Sequence, residues 1–85
     1  MQILFHKNFK KQATKFKSLK TKIDQRLLLF MEDPFDPILN NHALIGEYKG
    51  YRSINITSDY RAIYEEIREG MAFFVTIDKH SNLYK

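Results

Sequence analysis

The chain has 85 residues, of which 44% are hydrophobic, and it contains no cysteine. A chain of this length holds a single core, so we expect one domain over residues 1–85, and without cysteine it forms neither a disulfide framework nor a thiolate metal site. Because no segment approaches the ~20 apolar residues of a membrane-spanning helix and no signal peptide is recognisable, we expect a cytoplasmic protein with no membrane partner.

The net charge of +4 is concentrated in the N-terminal third of the chain. Residues 1–31 contain eight Lys or Arg and one acidic residue. A cationic surface of this kind attracts polyanions, most often nucleic acid. A lysine-rich helix face that is simply solvated explains the same pattern, and both interpretations stay open at this point.

The first half of the chain predicts a short strand and two amphipathic helices. The apolar run at residues 3–5 indicates the strand, and Asn8 has the side chain of a helix N-cap. We expect Thr21 to cap the second helix, which ends before Pro34 because the residue preceding a proline avoids the helical conformation. A short connection favours an antiparallel helical hairpin, with one continuous bent helix as the alternative. Apolar residues at helical spacing define the two helices: Phe9, Ala13 and Phe16, then Ile23, Leu27 and Phe30.

The second half predicts an antiparallel sheet. Three runs rich in β-branched and aromatic residues cover 51–56, 60–67 and 71–77. The breaks between them are short enough for hairpins, so the runs form a meander. We therefore expect an α+β fold in which the helices cover one face of the sheet and polar groups gather on the other.

Two histidines flank this predicted sheet. His42 lies on the loop that leads into it, and His80 directly follows the last strand. Since imidazole exchanges protons near neutral pH, the two can form an acid–base pair, although two exposed loop residues are the plainer interpretation. Asp59, in the turn between the first two strands of the meander, is either a turn former or a base.

Cationic and aromatic side chains accompany the histidines. Arg52 and Arg61 either pair with the acidic residues nearby or bind a phosphate through their planar guanidinium groups. Lys49 and Lys79 add positive charge. Tyr84, near the end of the chain, is placed to stack on an RNA base or to approach a phosphate.

The spacing of these residues excludes several familiar kinds of site. The three histidines are far apart and fit no metal-binding motif, so we expect neither a metal ion nor a cofactor. No serine lies in the strand–turn–helix context of a nucleophile. The remaining His, Asp, Arg and Tyr side chains suit metal-free RNA cleavage, in which a base removes the ribose 2′-hydroxyl proton and an acid protonates the departing 5′ oxygen.

Taken together, the motifs of the second half resemble those of the RelE/ParE superfamily of bacterial toxins, and within it the YafQ-like branch. The resemblance implies the order strand, two helices, three strands for the whole chain. It also implies a ribosome-dependent endoribonuclease that cuts mRNA in the A site of the 70S ribosome and is held inactive by a cognate antitoxin. The motifs that carry it are His42-Ala-Leu-Ile-Gly46, Gly50-Tyr51-Arg52, Asp59-Tyr60-Arg61 and His80-Ser-Asn-Leu-Tyr84.

The resemblance also implies roles for individual residues. Arg61 matches the phosphate-supporting arginine of RelE-like members, and Tyr60 occupies a position that is often aromatic. Two departures are visible: Asn55 stands where YafQ-like members usually have a histidine, and Asp78 replaces a common glycine. An asparagine hydrogen-bonds a phosphate or ribose but does not transfer protons at neutral pH. The positions that match catalytic residues of the branch are His42, Asp59, His80 and Tyr84.

We therefore expect His80 to act as general acid and Asp59 or His42 as general base, with Arg61 and Arg52 on the scissile phosphate. Two other functions are compatible with the same fold. One is a non-enzymatic toxin that binds DNA gyrase, as ParE-like members do, although that activity needs neither histidine. The other is a catalytically weak relative that acts mainly in complex with its antitoxin.

Overall fold

In the computed structural model, which describes residues 1–83, the chain begins with strand β1 (Gln2–Phe5) and helix α1 (Lys7–Lys15). The N-cap of α1 is His6 and not Asn8, since Nδ1 of His6 accepts a hydrogen bond from the backbone amide of Asn8 at 2.9 Å. The predicted cap is wrong because strand pairing continues one residue past β1: the amide of His6 still donates to the carbonyl of Phe74. His6 is therefore the last residue before the helical backbone begins.

Two separate helices follow, as the first of the two alternatives predicted. A 3₁₀ turn at Lys17–Leu19 separates α1 from helix α2, which covers Lys20–Glu32. The prediction that Thr21 caps α2 is wrong, because the helix already begins at Lys20 and its N-cap position, Leu19, has no capping side chain. The prediction that α2 ends before Pro34 is confirmed. Among residues 1–83, no helix combines the length and apolar composition needed to cross a membrane.

The later strands are β2 (His42–Ala43), β3 (Arg52–Asn55), β4 (Tyr60–Arg68) and β5 (Met71–Lys79). With β1 they form one five-stranded sheet in the order β1-β5-β4-β3-β2. The antiparallel meander is confirmed, and β1 pairs in parallel with β5 to extend it. The expectation that His42 lies in a loop is wrong, since it belongs to a two-residue edge strand that pairs with β3. The short helix α3 (His80–Leu83) directly follows β5.

The sheet has a face that packs on the helices and an opposite face, which we call the distal face. Side chains alternate along a strand, and cross-strand partners share a face. Ile54 and its partner Ala62 are fully buried in the core with Phe30 of α2. The residues that alternate with these along the strands form the distal face. There the strand register aligns His42 with Ser53, Ser53 with Ile63, Asn55 with Arg61, and Arg61 with Asp78.

Candidate active site

His80 stands between two clefts that it shares with three other residues the sequence singled out. With His42, Ala43, Leu44 and Ile45 it lines a cleft of about 360 Å³. On its other side it shares a cavity of about 350 Å³ with the predicted site residues Asp59 and Lys79. The structure thus brings His42 and Asp59, from different parts of the chain, to His80 and its sequence neighbour Lys79.

The turn that carries Asp59 is fixed directly to the start of α3. The backbone amide of His80 donates to the carbonyl oxygen of Asp59 at 2.7 Å. Within the turn, the hydroxyl of Thr57 accepts from the amides of Asp59 and Tyr60, each at 3.2 Å. These bonds hold the backbone of Asp59 and leave its exposed carboxylate available to the cavity.

A single hydrogen bond determines which ring nitrogen of His42 can accept a proton. Nδ1 lies 2.8 Å from the carbonyl oxygen of Asn40. Because a carbonyl oxygen only accepts, Nδ1 must carry a hydrogen and donate it. The neutral ring is therefore in the tautomer that leaves the lone pair on Nε2, the arrangement that a general base requires.

Arg61 is bound to the backbone of the same turn that carries Asp59. Its Nη1 donates to the carbonyl oxygens of Thr57 at 2.9 Å, Ser58 at 2.7 Å and Tyr60 at 3.3 Å. All of its hydrogen bonds to residues 1–83 use this one nitrogen, so the remaining N–H groups of the fork are available to an anion. The guanidinium both stabilises the turn and places a permanent positive charge beside it.

Two buried polar atoms lie on the distal face near Arg61 and His42. The Oδ1 atom of Asn55, opposite Arg61, and the hydroxyl of Ser53, opposite His42, are buried without a hydrogen-bond partner among the described residues. Unsatisfied buried acceptors and donors are costly. These two atoms therefore retain unused hydrogen-bonding capacity within the distal face.

The other predicted site residues lie elsewhere. Arg52 has the same parity as buried Ile54 and is on the helix side of the sheet, where its Nε donates to Asn41. The ring of Tyr60 packs edge-on against Phe16 with centroids 5.0 Å apart. Lys49 is exposed after the 3₁₀ turn Gly46–Tyr48 and lines neither cleft, and the prediction for Tyr84 falls outside the described residues.

Sequence reasoning missed the residues that form the walls of the two clefts. Leu44 and Ile45 stand two and three residues after His42 in the same motif, and that short spacing was the signal available. Ser58 and Ser81 line the cavity beside Asp59. Asp78, noted only as a departure, accepts from the backbone amide of Lys79 and from the side chain of Asn82, and so stabilises the first turn of α3.

The assembled groups support acid–base chemistry on an anionic substrate. Two imidazoles and a carboxylate can exchange protons, and Lys79 and Arg61 can balance negative charge. Within residues 1–83, no three His, Cys, Asp or Glu side chains cluster in a way that could hold a metal ion.

Comparison with known proteins identifies the fold and the family. YafQ from Escherichia coli strain BL21(DE3) matches with a TM-score of 0.82 and 19% identity, over 99% of this chain and 98% of that one. A copper-bound mutant toxin from Helicobacter pylori matches with a TM-score of 0.78 and 23% identity, over 99% of both chains. The E. coli DinJ–YafQ toxin–antitoxin complex matches with a TM-score of 0.79 and 19% identity, over 99% of this chain and 97% of that one. These likenesses show a common fold.

No curated protein matches the chain. The family model described as the bacterial toxin of type II toxin–antitoxin systems, YafQ, matches residues 1–85, which is the whole length of the chain. The α+β architecture, the strand order and this match agree with one another. The chain belongs to the YafQ family of bacterial toxins of type II toxin–antitoxin systems.

Proposed function

We propose that this toxin is a ribosome-dependent endoribonuclease that cleaves mRNA in the ribosomal A site and so inhibits translation in the cytoplasm. The observation that carries the proposal is that His42 and His80 line one cleft while the bond to Asn40 leaves Nε2 of His42 as a proton acceptor. Membership of the YafQ family supports it. The likeness to a YafQ bound to DinJ supports a cognate antitoxin as the partner that holds the toxin inactive.

In the reaction, Nε2 of His42 removes the proton of the ribose 2′-hydroxyl. The 2′ oxygen attacks phosphorus, the bond from phosphorus to the 5′ oxygen breaks, and His80 donates a proton to that oxygen. The products are a 2′,3′-cyclic phosphate and a 5′-hydroxyl, so atoms and charge balance without a metal ion or cofactor. Asp59, across the second cavity from Lys79, is the alternative base.

The charge that develops on the phosphate is balanced by cations near the two clefts. The free N–H groups of Arg61 and the ammonium of Lys79 are the candidates. Asn55 can donate a hydrogen bond from its Nδ2 to a ribose or phosphate oxygen, but it cannot transfer a proton at neutral pH. Tyr84 remains the predicted partner for base stacking.

The basic surface of the first third of the chain provides a second zone of contact with the ribosome. A cavity of about 540 Å³ on α1 and the 3₁₀ turn is lined by three lysines, Lys11, Lys15 and Lys17. Such a surface attracts ribosomal RNA and the acidic residues of an antitoxin alike, and binding to either falls as salt concentration rises.

Primer extension on a defined mRNA tests the proposal. Purified toxin is incubated with the message in the presence and absence of 70S ribosomes, and His42→Ala and His80→Ala are compared with wild type. We expect cuts within codons only when ribosomes are present, and a fall in cleavage rate of about 100-fold or more for each variant, the scale of a lost general acid or base.

His6→Asn is the matched control, because it removes an imidazole outside the clefts and keeps a side chain that can cap α1. It should cleave at the wild-type rate. Intact mRNA in every lane refutes the nuclease. Inhibition of DNA supercoiling by the same preparation then identifies a gyrase binder, and tight antitoxin binding without either activity identifies a weak relative.

A further inference from the structure

A polar network on the helix side of the sheet uses both N–H donors and the carbonyl oxygen of one amide. Nδ2 of Asn41 donates to the carbonyl oxygen of Pro34 and to the hydroxyl of Tyr64, both at 2.8 Å. Oδ1 of Asn41 accepts from Nε of Arg52, also at 2.8 Å. Since the Pro34 carbonyl only accepts and Arg52 only donates, the amide has one possible orientation.

The network is anchored in the core at one end and covered at the other. Tyr64 is 1% exposed, and its ring packs against Phe30 and Phe74 with centroids 4.9 and 5.1 Å away. On the outer side, the guanidinium carbon of Arg52 lies 5.3 Å from the centre of the Phe35 ring, within the range of a cation–π contact. The amide of Asn41 is therefore held between a rigid core and a cationic cover.

Asn41 is also joined to the peptide group that determines the orientation of His42. The carbonyl of Asn40, which accepts from Nδ1 of His42, belongs to the peptide plane between Asn40 and Asn41. Asn40 adopts a left-handed conformation, with φ 45° and ψ 49°, which asparagine tolerates better than most residues with a side chain. The contacts of the neighbouring Asn41 help to hold this conformation.

We propose that Asn41, held by Tyr64 and Arg52, is a positioning residue for His42. By fixing the peptide plane before it, the network directs the Asn40 carbonyl at Nδ1 and keeps the lone pair of His42 on Nε2, in the cleft shared with His80. The inference rests on the proposed function, in which His42 is the base. It assigns Arg52 a structural part on the helix side of the sheet in place of phosphate binding.

The network variant is Asn41→Leu, which keeps the size of the side chain and removes its three hydrogen bonds. The matched control is Asn8→Leu, which removes a single side-chain bond, from Nδ2 to the carbonyl of Val75, on α1. Tyr64→Phe is the second variant, since it deletes only the hydroxyl and keeps the aromatic packing of the core. Circular dichroism and thermal melts of all three establish that they are folded.

The first readout is independent of catalysis. Nitrogen-15 NMR of the histidine rings at alkaline pH reports the tautomer of neutral His42. We expect Nδ1-protonated His42 in wild type and in Asn8→Leu, and loss of that single tautomer in Asn41→Leu. Tyr64→Phe should shift the same population in the same direction by a smaller amount. An unchanged tautomer in folded Asn41→Leu overturns the proposal.

The second readout is cleavage of ribosome-bound mRNA. We expect Asn41→Leu to lower kcat by about 10- to 100-fold with little change in KM, the scale of a misplaced catalytic group. In a His42→Ala background the same substitution should have no further effect, because the residue it positions is gone. Full additivity of the two losses would contradict the inference. If wild type proves inactive, the proposed function fails while the tautomer measurement still decides the positioning role.

Discussion

Phe30 of α2 is the aromatic ring on which the helix layer and the sheet meet. It is fully buried, and its ring lies edge-on to Tyr64 and to Phe74, with centroids 4.9 and 5.2 Å away. Tyr64 in turn holds Asn41. Replacing Phe30 by Ala therefore removes the common neighbour of two sheet residues and leaves a cavity between the two layers.

The expected loss of stability is large relative to the total. Substituting Ala for a buried Phe costs about 3–5 kcal/mol, through lost apolar burial, the residual cavity and two lost aromatic contacts. The free energy of unfolding is about 0.05–0.15 kcal/mol per residue, which gives about 4–13 kcal/mol for a domain of this length. The midpoint of thermal unfolding should fall by at least about 12 °C, since each kcal/mol shifts it by about 4–8 °C in domains of this size.

Urea denaturation followed by circular dichroism measures this loss. Phe35→Ala is the control, because it makes the same chemical change at a ring that is 63% exposed. Within residues 1–83, the only aromatic or cation–π contact of that ring is with Arg52. We expect the control to lose less than about 1 kcal/mol. A loss below about 1.5 kcal/mol for Phe30→Ala, or equal losses for the two variants, would refute the claim that the interface between α2 and the sheet depends on this ring.

Three further outcomes are expected. Burial raises the pKa of Tyr64, and the hydrogen bond from Asn41 and the charge of Arg52 oppose part of this rise. Because the folded state holds the phenol proton more tightly than the unfolded chain, the contribution of Tyr64 to stability is complete below the pKa of the unfolded state and is lost as pH rises through the pKa of the folded state. Urea titrations across alkaline pH should detect this dependence in wild type and find it reduced in Tyr64→Phe. Arg61→Lys keeps the charge but breaks the hydrogen bonds to three carbonyls. Amide hydrogen exchange in residues 57–60 should therefore accelerate, and the free energy of unfolding should fall by about 1 kcal/mol. Unchanged exchange would show that the guanidinium does not hold the turn. His6→Ala should cost about 1 kcal/mol through the lost N-cap of α1 while His6→Asn restores it, and equal stability of the two would contradict the capping role.

The prediction of the fold succeeded where a hydrophobic period was clear. The stripe of Phe9, Ala13 and Phe16 has a helical period, and Ile54 and Ile56 in the first run of the meander alternate with polar residues; tertiary packing uses both patterns directly. The edge strand at His42 has only two residues, too few to show a period, and it exists because β3 offers it a partner. Asn8 satisfied the local rule for a cap, but the pairing of β1 with β5 extended to His6 and decided where the helix begins.

The prediction of the candidate site succeeded for residues that motif spacing connects, and failed for residues that packing connects. His42, Asp59 and His80 gather because turns and strand ends converge at one end of the sheet. Arg52 lies on the helix side of the sheet, which its spacing of two residues from Ile54 already indicated. No local sequence pattern could predict the hydrogen-bonding role of Asn41, because its partners lie 7, 11 and 23 residues away and contact it only in the folded sheet.

The parallel pairing of β1 with β5 has a consequence for how the toxin is made. Gln2 lies beside Met71, so among the described residues β1 pairs with a strand that comes 69 residues later in the chain. Contacts between such distant parts of a chain form slowly, because a long loop must close first. Since chains emerge from the ribosome N-terminus first, we expect β1 to stay unpaired until β5 has been synthesised. The sheet that carries the candidate site would then be completed only after residues 71–79 have left the ribosome.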